Sequence, residues 1–271
     1  MNDLLKLKSD FFGRNYDTSE KSCFLDLRPA LLDCKEKINE DKIHDDSEVL
    51  TKSEIFYEIF DKKVGHIKPF LNYWFPKIEK FLKPDGVFLE IAGGLNYISA
   101  IVKNKKPEMV VCASDISPQY LQKKSKVLAD TLFSHTPDFY VACDAENLPF
   151  ADNSIDFIWT HSSLHHLKSV DKFLSEADRV LKNDGVLIAL DTADPILSKR
   201  YKRKKMKRAQ ELGIFENSYT YSEWEKITRP KNINLSRVAK GRIKNKFVQK
   251  GINYFIPMNI AFTKTFNPKE F

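Results

Sequence analysis

Phe88-Leu89-Glu90-Ile91-Ala92-Gly93-Gly94-Leu95-Asn96-Tyr97 is the stretch on which the reading of this chain turns. An apolar run ends in a carboxylate, passes into a loop of small residues and leads into a helix start. Glycine has no Cβ, so backbone N–H groups in such a strand-to-helix turn can approach a ligand closely. Loops of this kind also serve as plain tight turns, so the reading depends on the hundred residues downstream. From Val87 the chain alternates between short apolar runs and helical segments. Strands are expected over 87–92, 109–114, 139–142, 155–160 and 186–190. Helices are expected over 97–105, 118–132 and 170–181, the second opened by Ser117 as N-cap and Pro118 as first residue. Near-continuous apolar strands alternating with helices mean a parallel sheet covered on both faces.

At 271 residues there is room for one sizeable core with appended elements, and 42% apolar with 30% charged residues is the composition of a globular protein. No apolar run approaches the roughly 18 residues a membrane span needs, and the first residues have no apolar core of secretory length. A cytoplasmic location, with peripheral membrane contact as a variant, is the expectation. The four cysteines form no CxxC pair, which favours buried free thiols. Charge is split. From Ile196 onward there are 19 Lys and Arg against five Asp and Glu, whereas the preceding part has 25 against 32. An acidic body with a basic C-terminal region suggests an anionic partner there: phosphate, a membrane surface or RNA. Solvated faces account for the same charges equally well.

Residues 1–50 read as a charged, partly helical extension, and 53–81 as aromatic-rich cap helices that Pro69 and Pro76 break into pieces. After Pro195 come a basic helix over 198–212, a short helix over 222–227 and closing strands at 253–255 and 260–265. The domain reading is an extension over 1–80 and an α/β domain over 81–271, with a basic substrate-side insertion at about 195–250.

In an open parallel sheet, ligands bind outside the carboxyl ends of the strands. Each expected strand here ends in small or polar residues: Glu90 with Gly93-Gly94, Ser114-Asp115, Asp144-Ala145-Glu146, and Thr160-His161-Ser162-Ser163. Asp115 can accept from two adjacent ribose hydroxyls; its other use, as a helix N-cap, fits Ser117 better. Asp144 can accept from an exocyclic adenine amine, or serve as a turn residue.

These residues carry a resemblance. Glu90-Ile91-Ala92-Gly93-Gly94, Ser114-Asp115-Ile116-Ser117, the run Asp144-Ala145-Glu146-Asn147-Leu148-Pro149-Phe150 through Asp156, Leu164-His165-His166-Leu167 and Arg179-Val180-Leu181-Lys182-Asn183-Asp184-Gly185 occur in order. Together they resemble a class I S-adenosylmethionine-dependent methyltransferase of the small-molecule type, over roughly 81–191. The resemblance implies an α/β, Rossmann-like sheet of seven strands, mostly parallel with an antiparallel last strand and helices on both faces. It also implies S-adenosylmethionine as cofactor and S-adenosylhomocysteine as product. Glu90, Ala92, Gly93 and Gly94 would face the methionine portion. Asp115 and Ile116 would hold the ribose and flank the adenine, Asp144 and Ala145 would address its edge, and His161 would lie beside the sulfur. Ala92 and Asn96 stand where the family usually has glycine; Ala92 is tolerable in an extended backbone, and Asn96 adopts positive φ readily.

A hydroxyl acceptor needs a base, and His161 or His166 is the candidate. A helix over 163–167 would put His161 and His165 on one face and turn His166 elsewhere. A zinc site among the three histidines lacks a carboxylate within sequence reach to orient the ligating rings, so no metal is expected. Glu216, Tyr219 and Trp224 lie in a segment loosely similar to methyltransferases of polysaccharide biosynthesis, and would suit a small-molecule or glycan acceptor; a helix-capping turn packed on the sheet is the other reading of the same residues, and the favoured one. Two other classes stay open: an RNA methyltransferase using 199–208 and 229–250, and a non-catalytic protein of the same fold.

Overall fold

The computed structural model describes residues 24–28, 37–39, 70–197, 199–237 and 258–264. Eight strands are described: β1 (Phe24–Asp26), β2 (Val87–Glu90), β3 (Val110–Asp115), β4 (Phe139–Ala142), β5 (Ile155–His161), β6 (Leu181–Ala193), β7 (Asn234–Arg237) and β8 (Met258–Lys264). They form one sheet in the order β1-β4-β3-β2-β5-β6-β8-β7. Strands β1 to β6 pair in parallel, and β8 runs antiparallel to β6 and β7. The expected mostly parallel sheet with an antiparallel last strand is therefore present, with eight strands instead of seven. The three-residue β1 falls in the part read as an extension and extends the sheet beyond β4; β7 is a second strand outside the expected set. The expected strand over 253–255 and the helix over 53–69 lie outside the described residues.

Strand order reverses between β3 and β5, on either side of β2, and this opens a crevice at the carboxyl ends. The helices are α1 (Phe75–Ile78), α2 (Tyr97–Lys105), α3 over 118–132 with a π turn at Leu121–Ser125, α4 (Val170–Val180), α5 (Lys199–Leu212) and α6 (Tyr221–Thr228). Ser117 caps α3 as expected, its hydroxyl accepting from Tyr120 N. Pro76 does not break the aromatic segment: it sits in the first turn of α1, where its missing N–H costs nothing. Thr220 and Glu223 close a capping box on α6.

Period-two alternation divides the sheet's side chains between two cores. Leu89, Val141 and Ile158 face α4 and α6, packing with Phe173, Leu174 and Trp224. Phe88, Val111, Phe157 and Trp159 face α1, α2 and the turn before α1, packing with Phe70, Trp74 and Ile101. Phe88 and Phe157 stack at 5.4 Å, and Phe70 meets Trp159 edge-on at 5.1 Å. Both faces are dry, which explains the continuous apolar strands. Cys112 and Cys143 are buried free thiols.

Candidate active site

The crevice holds a cavity of about 430 Å³, within the size range of small-molecule sites. Glu90, Ala92, Gly93 and Gly94 line it after β2, Asp115 and Ile116 after β3, Asp144 and Ala145 after β4, and His161 at the tip of β5. His166, Leu167, Leu212, Ile214 and Phe215 form its far end.

The loop after β2 is built around its glycines. A Cβ on Gly93 would stand 2.3 Å from Asn96 Oδ1 and 2.8 Å from Glu90 Cδ, so only glycine fits. Gly94 has φ +57° and Asn96 φ +49°, the left-handed conformation that asparagine tolerates. Ala92 is not extended as expected; it too is left-handed, with φ +49°. That conformation costs alanine about 1–2 kcal/mol. Its carbonyl accepts from Ser163 Oγ at 3.0 Å, and the next N–H, of Gly93, donates to Ser114 O at 3.1 Å.

Asp115 holds this loop from β3. Its Oδ2 accepts from Gly94 N at 2.9 Å and its Oδ1 from Ser117 N at 3.1 Å. Glu90 is buried and accepts from Ser99 N at 2.7 Å. Burial pushes its carboxyl up to about 7, with the nearby Asp115 charge adding to the rise and Ser99 opposing it. After β4, Asp144 Oδ1 accepts from Glu146 N at 2.9 Å, while Oδ2 is paired with Lys37. Lys37 Nζ also lies 3.7 Å from Glu146 Oε2. No local pattern could have found Lys37, which comes from a short helical stretch 107 residues before its partner.

At the far end the loop after β5 is pinned to the segment after α5. Asn217 N donates to His165 O at 2.7 Å, and Asn217 Nδ2 to Leu167 O at 2.7 Å. His166 Nδ1 donates to Phe215 O at 2.9 Å, since a carbonyl only accepts. Burial, with the neighbouring His165 adding to it, holds His166 below the usual histidine range. The expected pairing of histidines is reversed. Leu164–His166 is a short 3-10 turn, which puts His166 in the cavity wall with His161. His165 instead donates from Nδ1 to Asp191 Oδ1 at 2.7 Å. Asp191, in β6, is thus a buried carboxylate partner for His165 that sequence reach did not supply.

Of the residues assigned to substrate, only Glu216 approaches the histidines, 3.8 Å from both His165 Nε2 and His166 Nδ1. Trp224 is fully enclosed, tilted against Tyr219 at 4.4 Å and edge-on to Phe262 at 4.9 Å. Neither Trp224 nor Tyr219 lines the cavity. Trp224 belongs to the core between β6 and α6, and Tyr219 packs against it, partly buried.

A family model described as a methyltransferase domain matches residues 89–189. Over 105 residues the chain is 32% identical to a malonyl-[acyl-carrier protein] O-methyltransferase of Laribacter hongkongensis, covering 37% of this chain and 35% of that one. Over 110 residues it is 33% identical to a ubiquinone/menaquinone biosynthesis C-methyltransferase of Desulfotalea psychrophila, covering 41% and 43% respectively. The chain therefore spans less than half the length of either relative. Among solved structures, geranyl diphosphate C-methyltransferase of Streptomyces coelicolor, in complex with S-adenosylhomocysteine, superposes with TM-score 0.59 at 10% identity, over 85% of this chain and 97% of that one. A phosphoethanolamine N-methyltransferase of Haemonchus contortus, in complex with S-adenosylmethionine, gives 0.53 at 16% identity, over 79% and 56%. These last two likenesses concern the fold. In sheet order, in the crevice at its switch point and in the segment matched over residues 89–189, the chain is similar to S-adenosylmethionine-dependent methyltransferases.

Proposed function

We propose that this protein transfers the methyl group of S-adenosylmethionine to an oxygen of a small-molecule acceptor. The observation that carries the reading is convergence: Glu90, Gly93, Gly94, Asp115, Asp144, Ala145 and His161, from four strand ends, all line one cavity. The residues fit the cofactor: Gly93 and Gly94 line the cavity with no side chain to fill it, and the carboxylate of Asp115 faces the same cavity. When bound, S-adenosylmethionine supplies a methyl group made electrophilic by its sulfonium. Asp115 holds the ribose, Asp144 and Ala145 the adenine edge, and Glu90 the ammonium of the methionine portion. Most of the acceleration comes from alignment of acceptor and methyl group, which the wall from Leu212 to Phe215 and the loop after β5 provide. His161 takes the acceptor proton. The catalytic unit reaches back before residue 81, because β1 joins its sheet and Lys37 lines the cavity beside Asp144, while the segment from Leu212 to Phe215 shapes the acceptor end. The basic run over 199–208 favours an acceptor or surface of negative charge. Among the described residues no helix is long and apolar enough to cross a membrane.

Calorimetric titration with S-adenosylmethionine and S-adenosylhomocysteine should give dissociation constants on the order of micromolar. A screen of hydroxyl compounds with labelled cofactor then finds the acceptor. His161→Asn should leave cofactor affinity unchanged and lower turnover about 100-fold. Absence of binding to either compound overturns the reading, and unchanged turnover overturns the role of His161.

Cofactor affinity should also depend on pH through Glu90. The groups facing this carboxyl are Ser99 and Tyr97 from α2 and Asp115 from β3. Its folded pKa, about 7, lies above the ordinary carboxyl value of 4.5. The folded protein therefore holds an extra proton between those values, and the ionised form costs stability as pH rises through them. A bound ammonium favours the carboxylate, so binding below about pH 7 releases a proton. Affinity should rise with pH, by at most about tenfold per unit, and level off above neutrality. Titrations at pH 6 and 8, in buffers of different ionisation enthalpy, measure it. Glu90→Gln should flatten the profile, and a flat wild-type profile removes Glu90 from the cofactor site.

A further inference from the structure

We propose that α5, with Ile196 and Leu197 ahead of it, docks the protein on an anionic lipid bilayer, with the acceptor end of the cavity at the edge of that contact.

Apolar exposure is concentrated in this stretch. Among the described residues five large apolar side chains are exposed, and Ile196, Leu197, Met206 and Leu212 are four of them; Tyr73 is the fifth. Met206, at 59%, and Leu197, at 58%, are the most exposed of all. Around the sheet such residues are buried in two cores. Apolar side chains exposed singly need no explanation, but four in one short stretch mark a contact surface.

Positive charge is concentrated in the same place. Over 199–212 the sequence has eight Lys and Arg and a single acidic residue, Glu211. Arg203, Met206 and Lys207 follow one another at the i, i+3, i+4 spacing of one helix face, and all three are exposed, as is Lys204 beside them. Lys202, Lys205 and Ala209 are half-buried on the opposite face, where Lys205 Nζ lies 3.2 Å from Asp194 Oδ2. Lys207 stands 3.4 Å from Glu211, an exposed pair that salt screens. The outward face of α5 is therefore basic, with a flexible thioether set into it.

Two kinds of anionic partner meet such a face, and the apolar residues decide between them. A nucleic acid strand stacks its bases on aromatic rings, whereas Ile196, Leu197 and Met206 are aliphatic. Aliphatic side chains among Lys and Arg suit the boundary between headgroups and acyl chains. The cations meet anionic headgroups, and the aliphatic groups enter the hydrocarbon side. The helix also leads into the site: Leu212, its last residue, lines the cavity, as do Ile214 and Phe215 just after it. An acceptor reaching this wall from the bilayer is an amphiphile. That consequence rests on the proposed methyl transfer; the docking surface itself does not.

Cosedimentation of the full chain with vesicles measures the docking. Vesicles of phosphatidylcholine with roughly one quarter phosphatidylglycerol should bind the protein about tenfold or more tightly than phosphatidylcholine alone, and raising salt from about 0.1 to 0.5 M should remove most of that preference. Lys204→Gln combined with Lys207→Gln should weaken binding to the anionic vesicles about tenfold or more. Met206→Ser should weaken it severalfold without changing its salt dependence, because apolar burial is not screened. All three positions are exposed and none lines the cavity, so melting temperature and affinity for S-adenosylmethionine should stay as in the wild type. Absence of binding to anionic vesicles overturns the proposal, as does equal binding to both vesicle types or binding that neither variant alters. Single-stranded polyuridine that binds through Lys204 and Lys207, where vesicles do not, overturns it in favour of a nucleic-acid surface. Cofactor titrations on the same samples separate the two readings. Cofactor binding without vesicle binding removes the docking surface alone, and vesicle binding without cofactor leaves that surface standing and removes the methyltransferase reading.

Discussion

Asp115→Ala should weaken binding of S-adenosylmethionine more than 100-fold while leaving the protein folded. A carboxylate offers about four acceptor positions, and the structure uses two, for Gly94 N and Ser117 N. The others are available on the cavity side, where Asp115 is part of the lining. In the proposed binding mode, two vicinal ribose hydroxyls would meet them in a bidentate, charge-assisted pair. Hydrogen bonds to charged groups contribute roughly 1.5–3 kcal/mol each, so losing both costs at least about 3 kcal/mol, or more than two orders of magnitude. Removing the carboxylate also releases the Gly94 N–H, which loosens the loop that presents the methionine portion. Asp115→Asn keeps one oxygen acceptor and should give an intermediate loss. Calorimetry on the variants measures the effect, and a melting curve shows that the fold has survived. Unchanged affinity in Asp115→Ala would remove the ribose from this carboxylate and with it the orientation of the cofactor.

The cofactor side of the site was legible because each of its residues follows an apolar strand directly. Once strands and helices alternate, topology places Glu90, Asp115, Asp144 and His161 at one edge without any knowledge of side-chain contacts. The acceptor side was not legible in the same way, because its contacts join distant segments. His165 meets Asp191 across 26 residues and His166 meets Phe215 across 49; at the other side, after β4, Lys37 meets Asp144 across 107. None of these leaves a local period. The three-residue β1 is too short to show alternation, and β7 is mostly polar, Asn-Leu-Ser-Arg. Ala92 departs from expectation for a different reason: its residue type argues for φ below zero, and the hydrogen bonds around it impose the opposite.

Aromatic residues in a polar segment carry two readings, and Trp224 decides between them. As part of a substrate platform, Trp224→Ala would reduce activity and leave stability alone. The structure leads to the reverse expectation: a loss of about 3–5 kcal/mol in stability, the range for truncating a buried tryptophan. The ring is fully buried and lies against Tyr219 and Phe262, and its Nε1 donates to Thr192 O at 3.0 Å. Truncation therefore opens a cavity between α6 and β6, ends two aromatic contacts and leaves a strand carbonyl without its donor. Against a total stability of about 5–15 kcal/mol, this is a large fraction. At roughly 2–4 °C per kcal/mol for a domain of this size, melting should fall by about 10 °C. Trp224→Phe keeps a ring in the space and loses chiefly the Nε1 hydrogen bond, so it should cost only about 1–2 kcal/mol. Thermal unfolding of the two variants ranks them, and cofactor titration of the folded material should find affinity unchanged, because Trp224 does not line the cavity. A Trp224→Ala protein that melts with the wild type would place the ring outside the core and return it to the acceptor site.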